Sequence, residues 1–175
     1  MSEKAPRKKW VLPAFCNLIG SLILLAVILS CVPVTVPRFL GYESYSVVSG
    51  SMEPEIPVGS IIYVKPVEPV DVAEGEVIAF QSGDSVVTHR VITNQQVEGQ
   101  FTTKGDANAA EDVNAVPYGA LLGRVERHYP MLGALLGLYG STVGKVYVLC
   151  FAACGAMLNV LASRMRERRK AERRA

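Results

Sequence analysis

Apolar and polar residues are sorted into three zones along this chain. Residues 11–37 carry no formal charge and include the run Leu18-Ile19-Gly20-Ser21-Leu22-Ile23-Leu24-Leu25-Ala26-Val27-Ile28-Leu29. A bilayer core about 30 Å thick needs roughly 20 apolar residues in helical form, so a membrane-spanning helix is predicted over 11–37. A secretory signal has the same basic opening, but its apolar core runs to about 7–15 residues and ends in a small-residue cleavage site. Here the run ends in Cys31-Val32-Pro33-Val34-Thr35-Val36-Pro37, so an uncleaved anchor is expected. A second apolar region, 131–163, is broken only by Lys145. It predicts a spanning helix over 143–163, with 131–142 either lengthening that helix or lying along the membrane surface. Lys145 can snorkel its ammonium to the interface, which is simpler than an intramembrane proton carrier. Trp10 and Tyr129 stand where interfacial aromatics collect.

Between the apolar zones the pattern changes period. Short runs rich in Val, Ile, Tyr, Phe and Thr fall at 45–48, 60–65, 76–80, 85–93, 100–104 and 120–127, and glycines at 59, 75, 83, 99 and 105 punctuate them as turn residues do. No segment there carries a 3.6-residue amphipathic period. The expected architecture is a mostly β domain over 38–130, antiparallel in the main, anchored by two transmembrane α-helices.

Charge adds direction to this picture. Residues 1–10 hold four basic and one acidic side chain (+3), residues 164–175 seven and two (+5), and residues 38–130 six and thirteen (−7). Positive-inside sorting then puts both basic ends in the cytoplasm and the acidic middle outside a cell membrane crossed twice. The basic tail is a topology anchor on this reading, and nucleic acid is not expected as a partner. A hydrophobic share of 50% with a net charge of only +2 excludes a disordered chain. All four cysteines lie in the apolar regions, which leaves the middle zone without a disulfide framework or a thiolate zinc site. With two histidines in the entire chain, metal catalysis is not expected, and no cofactor is called for.

Three short segments of the middle zone carry candidate chemistry. Val47-Val48-Ser49-Gly50-Ser51-Met52-Glu53-Pro54 places serines on a bend where a hydroxyl can act as nucleophile beside backbone N–H groups; its ordinary reading is a hairpin turn. In Thr88-His89-Arg90-Val91, His89 shares a strand face with Val87 and Val91. That setting suits a core histidine, and equally a desolvated general base. His128, beside the second apolar region, fits an interfacial role. Lys104-Gly105-Asp106-Ala107-Asn108-Ala109-Ala110-Glu111-Asp112 reads as a turn after a strand. Its carboxylates serve either to cap backbone N–H groups or to orient His89 in a Ser–His–Asp relay. For Asp112 both readings stand, and for Asp106 the turn is favoured. The spacing does not fit an EF-hand.

Taken together and in this order, the three segments resemble the type I signal peptidases, in the branch found in archaea, the endoplasmic reticulum and the SipW-like group of Gram-positive bacteria. Ser49-Gly50-Ser51-Met52-x-Pro54 resembles that family's nucleophile box, Thr88-His89-Arg90-Val91 its base box, and Lys104-Gly105-Asp106-x-Asn108-x-x-x-Asp112 its acidic box. The common bacterial branch has Lys where this chain has His89, so the resemblance implies a Ser–His enzyme. It implies a membrane-bound serine endopeptidase that removes signal peptides from exported precursors at the outer membrane surface. Ser51 would be the nucleophile, His89 the general base, Asp112 the orienting carboxylate and Asp106 a supporting one. The oxyanion would rest on the Ser51 N–H with the Ser49 hydroxyl as second donor, and Met52 would pack beneath the turn. The implied partners are precursors with Ala-x-Ala-type sites and membrane lipid, with accessory subunits as an optional addition. The second helix matches some prokaryotic members and departs from the typical endoplasmic-reticulum form, which points to a prokaryotic plasma membrane. The competing expectation is a membrane-anchored β module that binds or scaffolds without catalysis.

Overall fold

The computed structural model describes residues 11–172; the basic start 1–10, with Trp10, and tail residues 173–175 lie outside the described residues. The chain divides into two compact units, one made of its two apolar ends and the other of residues 33–139.

In the first unit the long helices α1 (Val11–Phe39) and α3 (Thr142–Glu172) are each long and apolar enough to cross a membrane. Leu22, Leu25, Leu29, Leu149 and Phe151 remain more than half exposed on them, as lipid-facing side chains do. The helices approach closely where neither has a side chain. A Cβ on Gly20 would stand 2.7 Å from the Gly155 carbonyl oxygen, and one on Gly155 would stand 3.0 Å from that of Gly20. The expected span 143–163 and most of the basic tail form one continuous helix, since Arg, Lys, Glu, Met and Ala are all strong helix formers. Ser141 starts it, its hydroxyl accepting the Gly144 N–H at 3.0 Å. Segment 131–142 thus does not extend α3; its core is a separate short helix, α2 (Gly133–Gly140).

The second unit is built on one antiparallel sheet of seven strands in the order β1-β2-β7-β3-β4-β5-β6. The strands are β1 (Glu43–Ser46), β2 (Ile61–Lys65), β3 (Val77–Ser82), β4 (Ser85–Gln95), β5 (Gln100–Lys104), β6 (Val116–Pro117) and β7 (Leu121–Tyr129). The six runs read from the sequence all form strands, their ends moved by up to two residues. Strand β6 goes unread, because two residues cannot display an alternation. Two apolar clusters hold the sheet together. Phe101, Phe80, Val91, Ile78, Val72 and Val116 form one around β3, β4 and β5. The other joins Ile62, Val64 and Ala79 to Met52 and Ile56. Those last two come from the 47–60 connection between β1 and β2, and are 2% and 1% exposed. Burying side chains of this size contributes about 1.5–3 kcal/mol each, which pins the serine-bearing turn onto the sheet.

Candidate active site

Strand register decides what can meet His89. Val77 pairs with Arg90 and Ile78 with His89 on one side of β4; on the other, Arg90 pairs with Lys104 and Val91 with Thr103. A bulge follows, so that Thr93 pairs with Thr102. Period-two alternation turns His89 and Val91 to the buried face, at 8% and 1% exposure, and brings the fully buried Thr103 in diagonally beside the ring. Phe80 meets the imidazole edge-on, with ring centres 6.2 Å apart.

The imidazole is held by a carboxylate. His89 Nδ1 lies 2.5 Å from Asp112 Oδ2, and Thr103 Oγ1 donates to the same oxygen at 2.6 Å. An ionised carboxylate only accepts, so the network assigns the ring proton to Nδ1 and leaves Nε2 as an acceptor. Asp106 does something else. Its two oxygens take the Arg90 guanidinium at 2.8 and 2.5 Å, and Arg90 also donates to the Gly75 carbonyl at 2.8 Å. The fork-shaped pair raises the Arg90 pKa further above its ordinary value and ties the 105–108 turn to β4. Of the two aspartates, Asp112 faces the ring and Asp106 braces the turn.

Ser51 reaches this group from the opposite side of the sheet order. Its carbonyl oxygen accepts the Ala107 N–H at 2.9 Å. Gly105 lies between the two halves: a Cβ there would stand 2.7 Å from Ser51 O, 2.8 Å from Asn108 Nδ2 and 3.0 Å from His89 Nε2. Gly105 opens the 105–108 turn, as the sequence reading expects, with the Asn108 N–H donating to its carbonyl at 2.9 Å; its φ is not positive, and glycine is required there because backbone and imidazole approach closely. Among the described residues no hydrogen bond joins Ser51 Oγ to the ring, as is common for catalytic contacts before substrate arrives. Ser49 and Ser51 line a cavity of about 300 Å³ whose walls include Tyr45, Met52, Val86 and Thr88. The Tyr45 hydroxyl donates to Glu43. Burial first, and then Glu43, push that phenol up to about 12, so it lines the cavity as a neutral group.

The structure therefore brings together Ser51, His89 and Asp112, with Ser49 on the adjoining cavity wall and Asp106 one step behind. It adds Thr103 and the bracing role of Arg90, neither of which sequence reasoning had assigned. Threonine in a strand reads only as a β-former, and nothing in the sequence marked it. None of the four cysteines is in a disulfide. Among the described residues no three His, Cys, Asp or Glu side chains gather as a metal site.

No family model matches this chain. Over 80 residues it is 49% identical to Signal peptidase I W of Bacillus subtilis (strain 168), a match that takes in 43% of this chain and 42% of that protein. The chain thus spans less than half the length of the curated relative it matches. That similarity, the antiparallel β domain and the two long apolar helices support the SipW-like signal-peptidase resemblance carried by the three segments.

Proposed function

We propose that this chain is a membrane-bound serine endopeptidase that removes N-terminal signal peptides from exported precursors, with Ser51 as nucleophile and His89 as general base. The observation that carries the reading is the bond from His89 Nδ1 to Asp112, which frees Nε2 to accept a proton where the ring and the Ser51 backbone flank Gly105. A serine hydroxyl beside an imidazole acceptor that a carboxylate orients is the set of parts such a nucleophile needs.

In the proposed reaction Ser51 Oγ attacks the scissile carbonyl carbon while His89 Nε2 takes the hydroxyl proton. The peptide C–N bond then breaks, and the imidazolium returns that proton to the leaving amine. Water, deprotonated by the same nitrogen, attacks the acyl carbon; the bond to Ser51 Oγ breaks, Oγ takes the proton back from His89 Nε2, and the signal peptide leaves as a carboxylic acid that ionises in water. Asp112 stabilises the imidazolium in both halves. The Ser51 N–H and the Ser49 hydroxyl serve as oxyanion donors. The cavity beside Ser49 and Ser51 takes the small side chains of an Ala-x-Ala site, its apolar wall coming from Val86 and Met52.

Charge sorting supports an arrangement with both basic ends in the cytoplasm and the acidic β domain outside. Ser51 follows α1 by a short connection, so enzyme and precursor, each tethered by apolar helices, meet at high effective concentration. The test compares purified wild type and Ser51→Ala in lipid vesicles against a precursor with an Ala-x-Ala site. Cleavage after the second Ala by wild type alone is the expected result. Equal cutting by both would remove Ser51 from the role, and no cutting by folded wild type would favour the binding module.

A further inference from the structure

We propose that Thr103 is a positioning residue of the relay, fixing Asp112 so that one of its oxygens meets the imidazole; this rests on the Ser51–His89 reading above. Asp112 sits on a connection with little else to hold it: Glu111 and Val113 beside it are exposed, Val113 at 99%. A carboxylate on such a segment rotates broadly about its last torsion. Thr103 removes that freedom from both ends of the residue. Its carbonyl accepts the Asp112 N–H at 2.8 Å, and its hydroxyl donates to Oδ2 at 2.6 Å, the oxygen that also takes His89 Nδ1.

The threonine is suited to this by its own chemistry. It is 0% exposed, so water does not compete for its hydroxyl, and a buried hydroxyl without a partner would be costly. Its branched Cβ restricts χ1 and so aims the O–H in one direction. The pairing of Thr103 with Val91, two residues along from His89 on the same face, sets the distance that Asp112 has to bridge.

The test uses the full chain in detergent micelles, cleaving an Ala-x-Ala precursor. Thr103→Val, nearly isosteric but without the donor, should lower kcat about tenfold or more with KM little changed, as loss of a charge-assisted hydrogen bond predicts. Thr103→Ser should recover most of that loss. Thr103→Cys, a weak donor of similar size, gives the same reading should the valine variant not fold. A second readout does not depend on cleavage. In a Ser51→Ala background, the His89 Nδ1–H proton should resonate well downfield of the amides. It should shift or broaden with Val or Cys at position 103, and stay in place with Ser. A resonance unmoved in the valine and cysteine variants, or a serine variant as impaired as valine, would overturn the positioning role. A resonance that moves as expected in a chain that never cleaves would keep Thr103 in its role and remove the peptidase reading instead.

Discussion

Gly105→Ala inserts one methyl group where the Ser51 backbone and the His89 ring converge, the proposed nucleophile and base. Its carbon would stand 2.7 Å from Ser51 O, 2.8 Å from Asn108 Nδ2 and 3.0 Å from His89 Nε2, where carbon contacts are comfortable only at about 3.5 Å or more. Because φ at Gly105 is not positive, alanine's own backbone is tolerated and the effect belongs to the methyl alone. Asn108 can swing its amide away. Ser51 O cannot, since it is a main-chain atom of a turn pinned by the buried Met52. Relief therefore comes from moving the 105–108 turn, and His89 with it, by up to about 1 Å. A displacement of that size costs on the order of 10²-fold in rate, or about 2.7 kcal/mol of transition-state stabilisation. Overpacking adds a stability loss of about 1–3 kcal/mol. The assay is initial cleavage rate against thermal unfolding, each on the full chain in vesicles, with rate expressed per folded molecule. Gly119→Ala is the control, because a methyl there meets nothing within 4 Å. A Gly105→Ala enzyme with wild-type rate per folded molecule would refute the claim that Ser51 and His89 act across this glycine.

The two aspartates should separate cleanly: Asp112→Ala should lower kcat by several orders of magnitude, whereas Asp106→Asn should mainly lower the unfolding temperature and reduce rate modestly. Comparable losses from both, per folded molecule, would contradict the division of labour. His89→Ala should lower the cleavage rate by several orders of magnitude, as removal of a triad base does, and near-normal turnover by that variant would remove His89 as base. Acid stability should depend on Glu126, whose carboxyl is held below its ordinary 4.5 chiefly by the Tyr42 hydroxyl, with help from Lys65 and Arg124. A depressed folded-state pKa stabilises above the unfolded value and loses that stabilisation as pH falls through the folded one, so unfolding temperature should drop below about pH 4.5. Glu126→Gln should flatten part of that decline in a thermal-melt series, and an unchanged acid limb would exclude this carboxylate from it.

Most strands were legible in the sequence because each signal is local. Alternation at β4 places His89 and Val91 on the buried face, and Ser51, His89 and Asp112 stand inside short segments of unusual composition. The choice between Asp106 and Asp112 was not legible, because it depends on the register between β4 and β5 and on the bulge after Val91. Thr103 escaped for the same reason: its role exists only once Val91 pairs with it. Gly105 reads as a turn glycine, which it is, but the narrow space between Ser51 O and His89 Nε2 that excludes a side chain there exists only in the fold. Segment 131–142 was ambiguous because its apolar pattern does not reveal that the Ser141 hydroxyl caps a new helix at Gly144.

The sheet order carries a consequence for biosynthesis. Strand β1 precedes Ser51 in the chain and β4 holds His89, yet β2, β7 and β3 lie between those two strands in the sheet. The central β7 is the last strand to be made, and Asp112 and the turn that grips Ser51 O also come late. A ribosome-bound chain that has already produced both Ser51 and His89 thus still lacks Asp112, the 105–108 turn and β7. Pairings this distant in sequence form slowly and together. Closure of the sheet therefore waits for β7, whichever strands have been made before it.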